Sequence, residues 1–367
     1  MNVENCIFLD TETFCETPIN NGTHRYAEGA EVIMWQWAVG DGPVEIRDGD
    51  EDISDLTALL EDPKYEVVIH NSAFDRNVMR HASGIEVPLG RTFDTMVCAM
   101  AHSLPGSLGT LCAILGVPTD KAKDKEGKTW INLFCKPQPK GRKIRRATRG
   151  THPEEWRRFR EYGGLDIIAM REIYKKLPRW NYRGAELELW RLDQVINERG
   201  VLMDTELAHA AIRASDRAQK LLTKETQVRT GYVDENGERT GTGVAAATQR
   251  DKMLEHILEA YGVGLPDLQI STLERRIDDP DLPIELRELL AVRLQASKTS
   301  VSKYKRVING VSSDGRLRGL LAFCGALRTA RWAGRLWQPQ NLARPTIKNK
   351  EIELWIEALK ADAEDLV

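Results

Sequence analysis

Short apolar runs in the first half of the chain give way to long amphipathic stretches in the second. Ile7-Phe8-Leu9 is an apolar triplet that reads as a buried strand and runs directly into Asp10 and Glu12. After a polar loop through Asn20, Asn21 and Gly22, the stretch EVIMWQWAVG from Glu31 to Gly40 is rich in β-forming residues. VEIRDG follows the turn signal Gly40-Asp41-Gly42-Pro43. Three successive strands joined by loops predict an antiparallel meander. DISDLTALLEDP has the polar start and proline stop of a helix, and YEVVIHN from Tyr65 to Asn71 is again a short apolar strand. SAFDRNVMRHAS, DTMVCAMAH and SLGTLCAILG continue as helices. Strands followed by helices, with a further strand among them, predict an α/β domain built on a mixed sheet.

Between Lys121 and Arg160 the texture turns basic. Lys136, Lys140, Arg142, Lys143, Arg145, Arg146 and Arg149 crowd a Pro/Gly-containing loop, with Arg157, Arg158 and Arg160 beyond it. Such a run fits either a solvated face or phosphate contact. The next helix starts near Pro153-Glu154-Glu155, with Thr151 as a candidate cap, and continues through WRRFREYGGLDIIAMREIYKKL. Gly163-Gly164 weakens it and admits a close backbone approach. Tyr162 and Asp166 are four apart, so they share one helix face. From about Gly184 the strands stop. ELELWRLDQVINERGVLMD, TELAHAAIRASDRAQKLLTKETQVR, VAAATQRDKMLEHILEAYG, ISTLERRIDD and LPIELRELLAVRLQASKTSVSKYKRVING predict a second, mainly helical domain, while RLRGLLAFCGALRT regains β character.

Composition adds bounds rather than identity. At 367 residues the chain suits two domains. A formal net charge of −3 does not announce a nucleic-acid partner, so charge distribution must carry that information. The six cysteines are scattered without a C-x-x-C pair, which favours free thiols over disulfides or zinc. No apolar run approaches the roughly 18 residues of a membrane helix. With no signal peptide in view, a reducing cytoplasmic setting is expected.

The candidate chemistry begins with Asp10 and Glu12. Side chains two apart on a strand share a face, and two carboxylates there repel unless a cation lies between them. Hard oxygens without His or Cys nearby favour Mg2+ or Mn2+ over Zn2+. Alone, D-x-E is a weak signal, and a strand running into an acidic turn explains it better. Two further blocks follow in order: HNSAFD, with Asn71, Phe74 and Asp75 after a buried strand, and Tyr162-x-x-x-Asp166 on a helix.

Together these blocks resemble the DEDD superfamily of 3′-5′ exonucleases, in its Tyr-bearing branch, over roughly residues 1–180. The resemblance implies a ribonuclease H-like fold: a mixed sheet opened by an antiparallel meander and flanked by helices. Phosphodiester hydrolysis needs an activated water and a stabilised leaving oxygen, and two divalent ions supply both. Asp10, Glu12, Asp75 and Asp166 are then the metal-holding set, with Tyr162 orienting the attacking water. A phenol of pKa near ~10 suits that role better than that of a base. Phe74 reads as packing that fixes Asp75. Asn71 reads as a helix cap or a substrate contact, and Asp94 as a helix cap.

NERGVLMD (Asn197 to Asp204), ASKTSVSKYK (Ala296 to Lys305) and SDGRLRGLLAFCGALRTARWAGRLWQPQNL (Ser313 to Leu342) resemble the thumb and early palm of bacteriophage DNA polymerases of family A. By that pattern the basic tip at Lys298, Lys303 and Lys305 holds duplex backbone, and Arg335 lies near the primer end. The expected division is an exonuclease domain at 1–180, a thumb-like region with the start of the palm at 181–345 and a helical tail at 346–367. The family's two palm aspartates and its fingers helix find no counterpart. A separate palm-and-fingers polypeptide is therefore expected as a partner beside DNA, as for a natural split subunit; the other reading of the chain is a fragment of a longer enzyme. Two alternatives remain: a DNA-binding or assembly subunit with secondary nuclease activity, and an RNA-trimming nuclease of the same superfamily.

Overall fold

The computed structural model describes residues 3–118, 123–233, 239–241, 243–298, 301–326, 328–342, 344–345 and 347–362. The chain forms two compact units, Met1–Met203 with Asn309–Ala343, and Asp204–Ile308 with Arg344–Val367.

In the first unit the apolar runs become a five-stranded mixed sheet. β1 (Cys6–Phe14) is followed by the short α1 (Thr23–Ala27), then β2 (Glu31–Val39) and β3 (Glu45–Asp48) complete the antiparallel meander. α2 (Ser54–Glu61) leads to β4 (Glu66–Ile69), which lies parallel to β1. α3 (Ser72–Ser83) leads to β5 (Thr92–Asp94), parallel to β4. The sheet order is β3-β2-β1-β4-β5, a mixed sheet opened by the expected meander and matching the ribonuclease H-like arrangement that the resemblance implies. β5 escaped the hydrophobic pattern because it is only three residues long. Its last residue, Asp94, does cap the next helix, α4 (Thr95–Ala101), by accepting from Val97 N.

Alternation along β1 assigns its residues to two cores. Phe8 joins one face with Ile167, Met170 and Ile173, while Ile7 and Leu9 join the other with Leu56, Leu60 and Met79. Ile7, Phe8 and Leu9 are fully buried, worth about 1.5–3 kcal/mol of transfer free energy each. β1 therefore cannot slip by one residue without exchanging its faces.

α5 (Leu108–Ile114), α6 (Lys123–Phe134) and the long α7 (Pro153–Lys176) follow. α7 begins with a proline at its N-terminus, but His152 occupies the cap position and makes no side-chain cap bond. Thr151, the sequence's candidate cap, spends its hydroxyl within the preceding turn, accepting from Thr148 N at 2.8 Å. α7 is instead fixed from the side. Asp48, at the end of β3, accepts from Trp156 Nε1 (3.0 Å) and Arg149 Nη1 (3.0 Å) and pairs with Arg160. α8 (Ala185–Arg199) buries Trp190 in the core of the same unit, and β6 (Val201–Leu202) follows.

The second unit contains α9 (Thr205–Thr230), the hairpin β7 (Gly231–Val233) and β8 (Arg239–Gly241), α10 (Arg250–Tyr261), α11 (Ile270–Ile277) and α12 (Ile284–Lys298). α13 (Ser302–Gly310) is a separate helix from α12, although the pattern had run the two together. The chain then returns to the first unit. β9 (Arg316–Leu317) pairs with β6, and β10 (Leu321–Ala326) forms a hairpin with β11 (Arg331–Gly334). α14 (Asn349–Lys360) rejoins the second unit, where Lys360 pairs with Asp204 and Glu206. Among the described residues no helix is long and apolar enough to cross a membrane.

Candidate active site

Three elements of the first unit deliver four carboxylates. Asp10 and Glu12 lie on β1, half-buried, on the face that carries Phe8. Asp75 is in the first turn of α3, just beyond the C-terminal end of β4, and is buried. Ligand sites in sheets with parallel strands gather at such ends. Thr11 faces away from Asp10 along the strand and reaches Asp75, to which its backbone N (3.1 Å) and Oγ1 (2.6 Å) both donate. Asp166 comes from α7, and Tyr162, one turn earlier, donates its phenol to the Asp166 carboxylate.

Two glycines let α6, α7 and the sheet approach this closely. A Cβ on Gly163 would collide with the Gln36 side chain. Gln36 is fully buried on β2 directly opposite Asp10. In the amide orientation that satisfies both neighbours, it donates to Asp10 Oδ2 (3.2 Å) and to the Gly163 carbonyl (3.1 Å). A Cβ on Gly127 of α6 would lie 2.5 Å from Tyr162 Cε2 and 2.9 Å from its hydroxyl. Sequence reasoning passed over Thr11, Gln36 and Gly127. The available signal for Gln36 was a single amide inside the apolar run of β2.

The electrostatics follow from this crowding. Burial, then the neighbouring Asp75, Glu12 and Asp166, pushes Asp10 well above the usual carboxylate range. Burial and the nearby Asp166 push Glu12 up to about 8, against a Cys135 thiol that donates to Glu12 Oε2 at 3.6 Å. Burial raises Asp75 to about 7 even though the Thr11 bonds pull it down. Burial and Asp166 also push the Tyr162 phenol up, so it remains a protonated donor at neutral pH. These carboxylates disfavour one another's charge, as expected of acids that share a site without a cation.

The donor set fits a hard divalent ion. It consists of carboxylate oxygens, with no His among them, and burial and Glu12 hold the adjacent Cys135 thiol protonated. Both Thr11 bonds fall on one oxygen of Asp75, Oδ1. Among the described residues no three Asp, Glu, His or Cys side chains are already drawn together into a ready-made ion-binding set.

Residues 5–179, which contain all four carboxylates and Tyr162, match the family model described as 3′-5′ exonuclease, of the DNA polymerase A type. These residues form a 3′-5′ exonuclease domain of that family. Over 352 residues the chain is 31% identical to a DNA polymerase of Bacillus phage SP02, covering 93% of this chain and 52% of the relative. The chain thus spans about half the length of the curated relative it matches. Among solved structures it is similar to the POL domain of Pol1 from M. smegmatis in complex with DNA primer-template and dNTP. That similarity has 13% identity and a TM-score of 0.50, covers 91% of this chain and 53% of that one, and speaks to fold alone. Brucella melitensis NrnC aligns at 18% identity and a TM-score of 0.34, over 53% of this chain and 82% of that one.

Beside Glu12 the exonuclease domain opens a cleft of about 530 Å3, bordered by Tyr26, Phe74, Ile131, Cys135 and Lys136. Phe74 is therefore a cleft wall as well as the packing partner of Tyr26, 5.5 Å away between ring centres. Asn71 sits at the cap position of α3 with φ +70°, yet its side chain makes no cap bond. Asp94 takes that role instead, accepting from Ser72 N at 2.7 Å and Asn71 N at 3.2 Å. Asn71 lines a different cavity, of about 250 Å3, together with Arg335 and Asp193. Lys303 and Lys305 lie on α13 in the other unit, Lys303 half-buried and Lys305 exposed, and the Lys298 side chain lies outside the described residues.

The basic run divides into two classes. Arg149 and Arg160 are spent on Asp48, Arg146 pairs with Glu31, and Arg157 pairs with Glu154 and Glu161. Lys140, Arg142, Lys143 and Arg145 have no acidic partner among the described residues and are exposed.

Proposed function

We propose that this exonuclease domain hydrolyses the 3′-terminal phosphodiester of DNA, using two divalent ions held by Asp10, Glu12, Asp75 and Asp166. The observation that carries the reading is that Asp10, Glu12, Asp75 and Asp166 lie near enough to disfavour one another's charge, with a protonated phenol bonded to Asp166 and with Glu12 lining a cleft. Bound Mg2+ or Mn2+ would supply Lewis acidity and lower the pKa of water at the site. Thr11 and Gln36 hold Asp75 and Asp10 in place by hydrogen bonds. The Tyr162 hydroxyl, which donates to Asp166 here, would orient the attacking water once a metal ion takes up the Asp166 carboxylate, and the apolar wall at Phe74 accommodates a terminal base. DNA as the substrate is favoured by the similarity to a phage DNA polymerase, which extends beyond the nuclease domain.

The same similarity supports proofreading beside a polymerase centre, with a palm-and-fingers polypeptide as partner. In that reading Lys298, Lys303 and Lys305 contact duplex backbone, Asn71 is a substrate contact, and Arg335 lies near the primer end. The test is degradation of a 5′-labelled single strand with Mg2+ or Mn2+, with and without chelator. Stepwise shortening from the 3′ end, lost in chelator and in Asp10→Ala and Asp166→Ala, is expected. Full activity in chelator would overturn the metal-dependent reading.

A further inference from the structure

The segment 136–146 (KPQPKGRKIRR) carries six cations and no acid. One end is fixed at the margin of the cleft beside Glu12, and the other is tied to the strands β1 and β2. At the first, Cys135 is buried and donates to Glu12, while Lys136 lines the cleft and bonds the Asn132 side chain at 2.8 Å. At the second, the Arg146 guanidinium lies 4.2 Å over the ring of Phe14, two residues after Glu12 on β1, and pairs with Glu31; Ala147 is buried beside it. A backbone bond from Gln138 N to the Arg145 carbonyl (2.7 Å) draws the two limbs together.

The end cations are thus spent on anchoring. The four between them, Lys140, Arg142, Lys143 and Arg145, are exposed and lack an acidic partner among the described residues. Four like charges within six residues repel one another, and an outside anion is what relieves them. The contrast with Arg149, Arg157 and Arg160, each neutralised by a nearby acid, separates this stretch from an ordinary solvated charge run.

We propose that this basic arch holds the phosphates of a single strand immediately 5′ to the bond being cut, guiding the strand to the cleft beside Glu12. The proposal rests on the nuclease reading for the direction of the strand, but the binding it requires is measurable without hydrolysis. Each phosphate contact to a single strand contributes about 0.7 to the slope of log K against log salt, so four contribute about 2.8. Between 50 and 200 mM salt that amounts to a roughly 50-fold change in affinity.

The experiment measures binding of a 5′-fluorescent 12-nucleotide strand to the whole chain in chelator, across that salt range. It compares wild type with a variant in which Lys140, Arg142, Lys143 and Arg145 are all Ser. Weaker binding at low salt and a slope flattened by about 2–3 support the arch. Arg157→Ser, a cation already paired within α7, should leave the slope in place. Equal slopes for wild type and the fourfold variant, or an equal change in Arg157→Ser, overturn the proposal. A parallel excision assay with Mg2+ separates the two readings. Absent excision with an intact slope difference sinks the hydrolytic reading and leaves the arch standing.

Discussion

Thr11 holds Asp75 by two hydrogen bonds, from backbone N at 3.1 Å and from Oγ1 at 2.6 Å, although 64 residues separate them. The strand that carries two of the carboxylates thereby positions a third on α3. Thr11→Val keeps the β-branched shape and the backbone bond but removes the hydroxyl. A hydrogen bond to a charged group is worth about 1.5–3 kcal/mol, so excision at pH 7 should fall roughly 10–100-fold. Without that bond the Asp75 carboxyl rises further above about 7, so the loss should shrink as pH is raised. Initial rates from pH 6 to 9 test this, and a loss independent of pH would contradict it.

The raised carboxyls also govern stability without metal. Unfolded, they titrate near ~4; folded, Asp10 lies well higher, Glu12 at about 8 and Asp75 at about 7. Between these limits the folded state binds more protons than the unfolded chain, so stability falls as pH rises. The contribution of these groups is full below about pH 4 and is lost as pH rises through 7 to 8. In chelator, Asp10→Asn should therefore gain melting temperature over wild type, and gain more at pH 8 than at pH 5. Mg2+ or Mn2+ should stabilise wild type more than the variant. Thermal melts read both effects, and a gain that shrinks with rising pH would be evidence against the repelling cluster.

Gly163 and Gln36 form a second tunable pair. Gly163→Ala places a methyl against the buried Gln36 side chain, and overpacking of this kind costs about 1–3 kcal/mol. Since α7 also carries Tyr162 and Asp166, excision should fall along with stability. Gln36→Ala alone removes the bond to Asp10 and leaves a void. Combining the two should restore part of the stability, with a coupling of about 0.5–3 kcal/mol, because the methyl then occupies the vacated space. Additive destabilisation in a double-mutant cycle would show that the two do not share that space.

The carboxylates were legible because each sits in a local pattern. D-x-E follows an apolar triplet, HNSAFD follows a strand, and Tyr162 and Asp166 have helical spacing. What holds them together was not legible. Thr11 reaches Asp75 across separate elements, and Gln36 meets Asp10 only because β1 and β2 pair in one particular register. The basic run looked uniform in sequence, yet the fold divides it, because Asp48, Glu31 and Glu161 lie within reach of some cations and not others. The return of residues 309–343 to the first unit was hidden as well. Hydrophobic periodicity records which face of an element is buried and says nothing of which distant element covers it.

Tyr162 and Gly127 provide the sharpest test of the phenol's role. Burial and Asp166 keep the phenol protonated, so it serves as a hydrogen-bond donor rather than a base. Tyr162→Phe keeps the ring and should lower the excision rate roughly 10–1000-fold while strand binding is retained. Gly127→Ala sets a methyl 2.5 Å from the ring, which must shift and carry the hydroxyl with it. Its rate should therefore fall too, although no polar group has been removed. In the double variant the two losses should not multiply: once the hydroxyl is gone, moving the ring costs little further rate. The stability cost of Gly127→Ala should persist in both backgrounds, because the ring remains in Phe. Rates from single-turnover excision and melting temperatures from the same four proteins separate the effects. If the rate losses multiply, the hydroxyl is not the group through which Gly127 acts, and Tyr162 is a packing residue for the substrate.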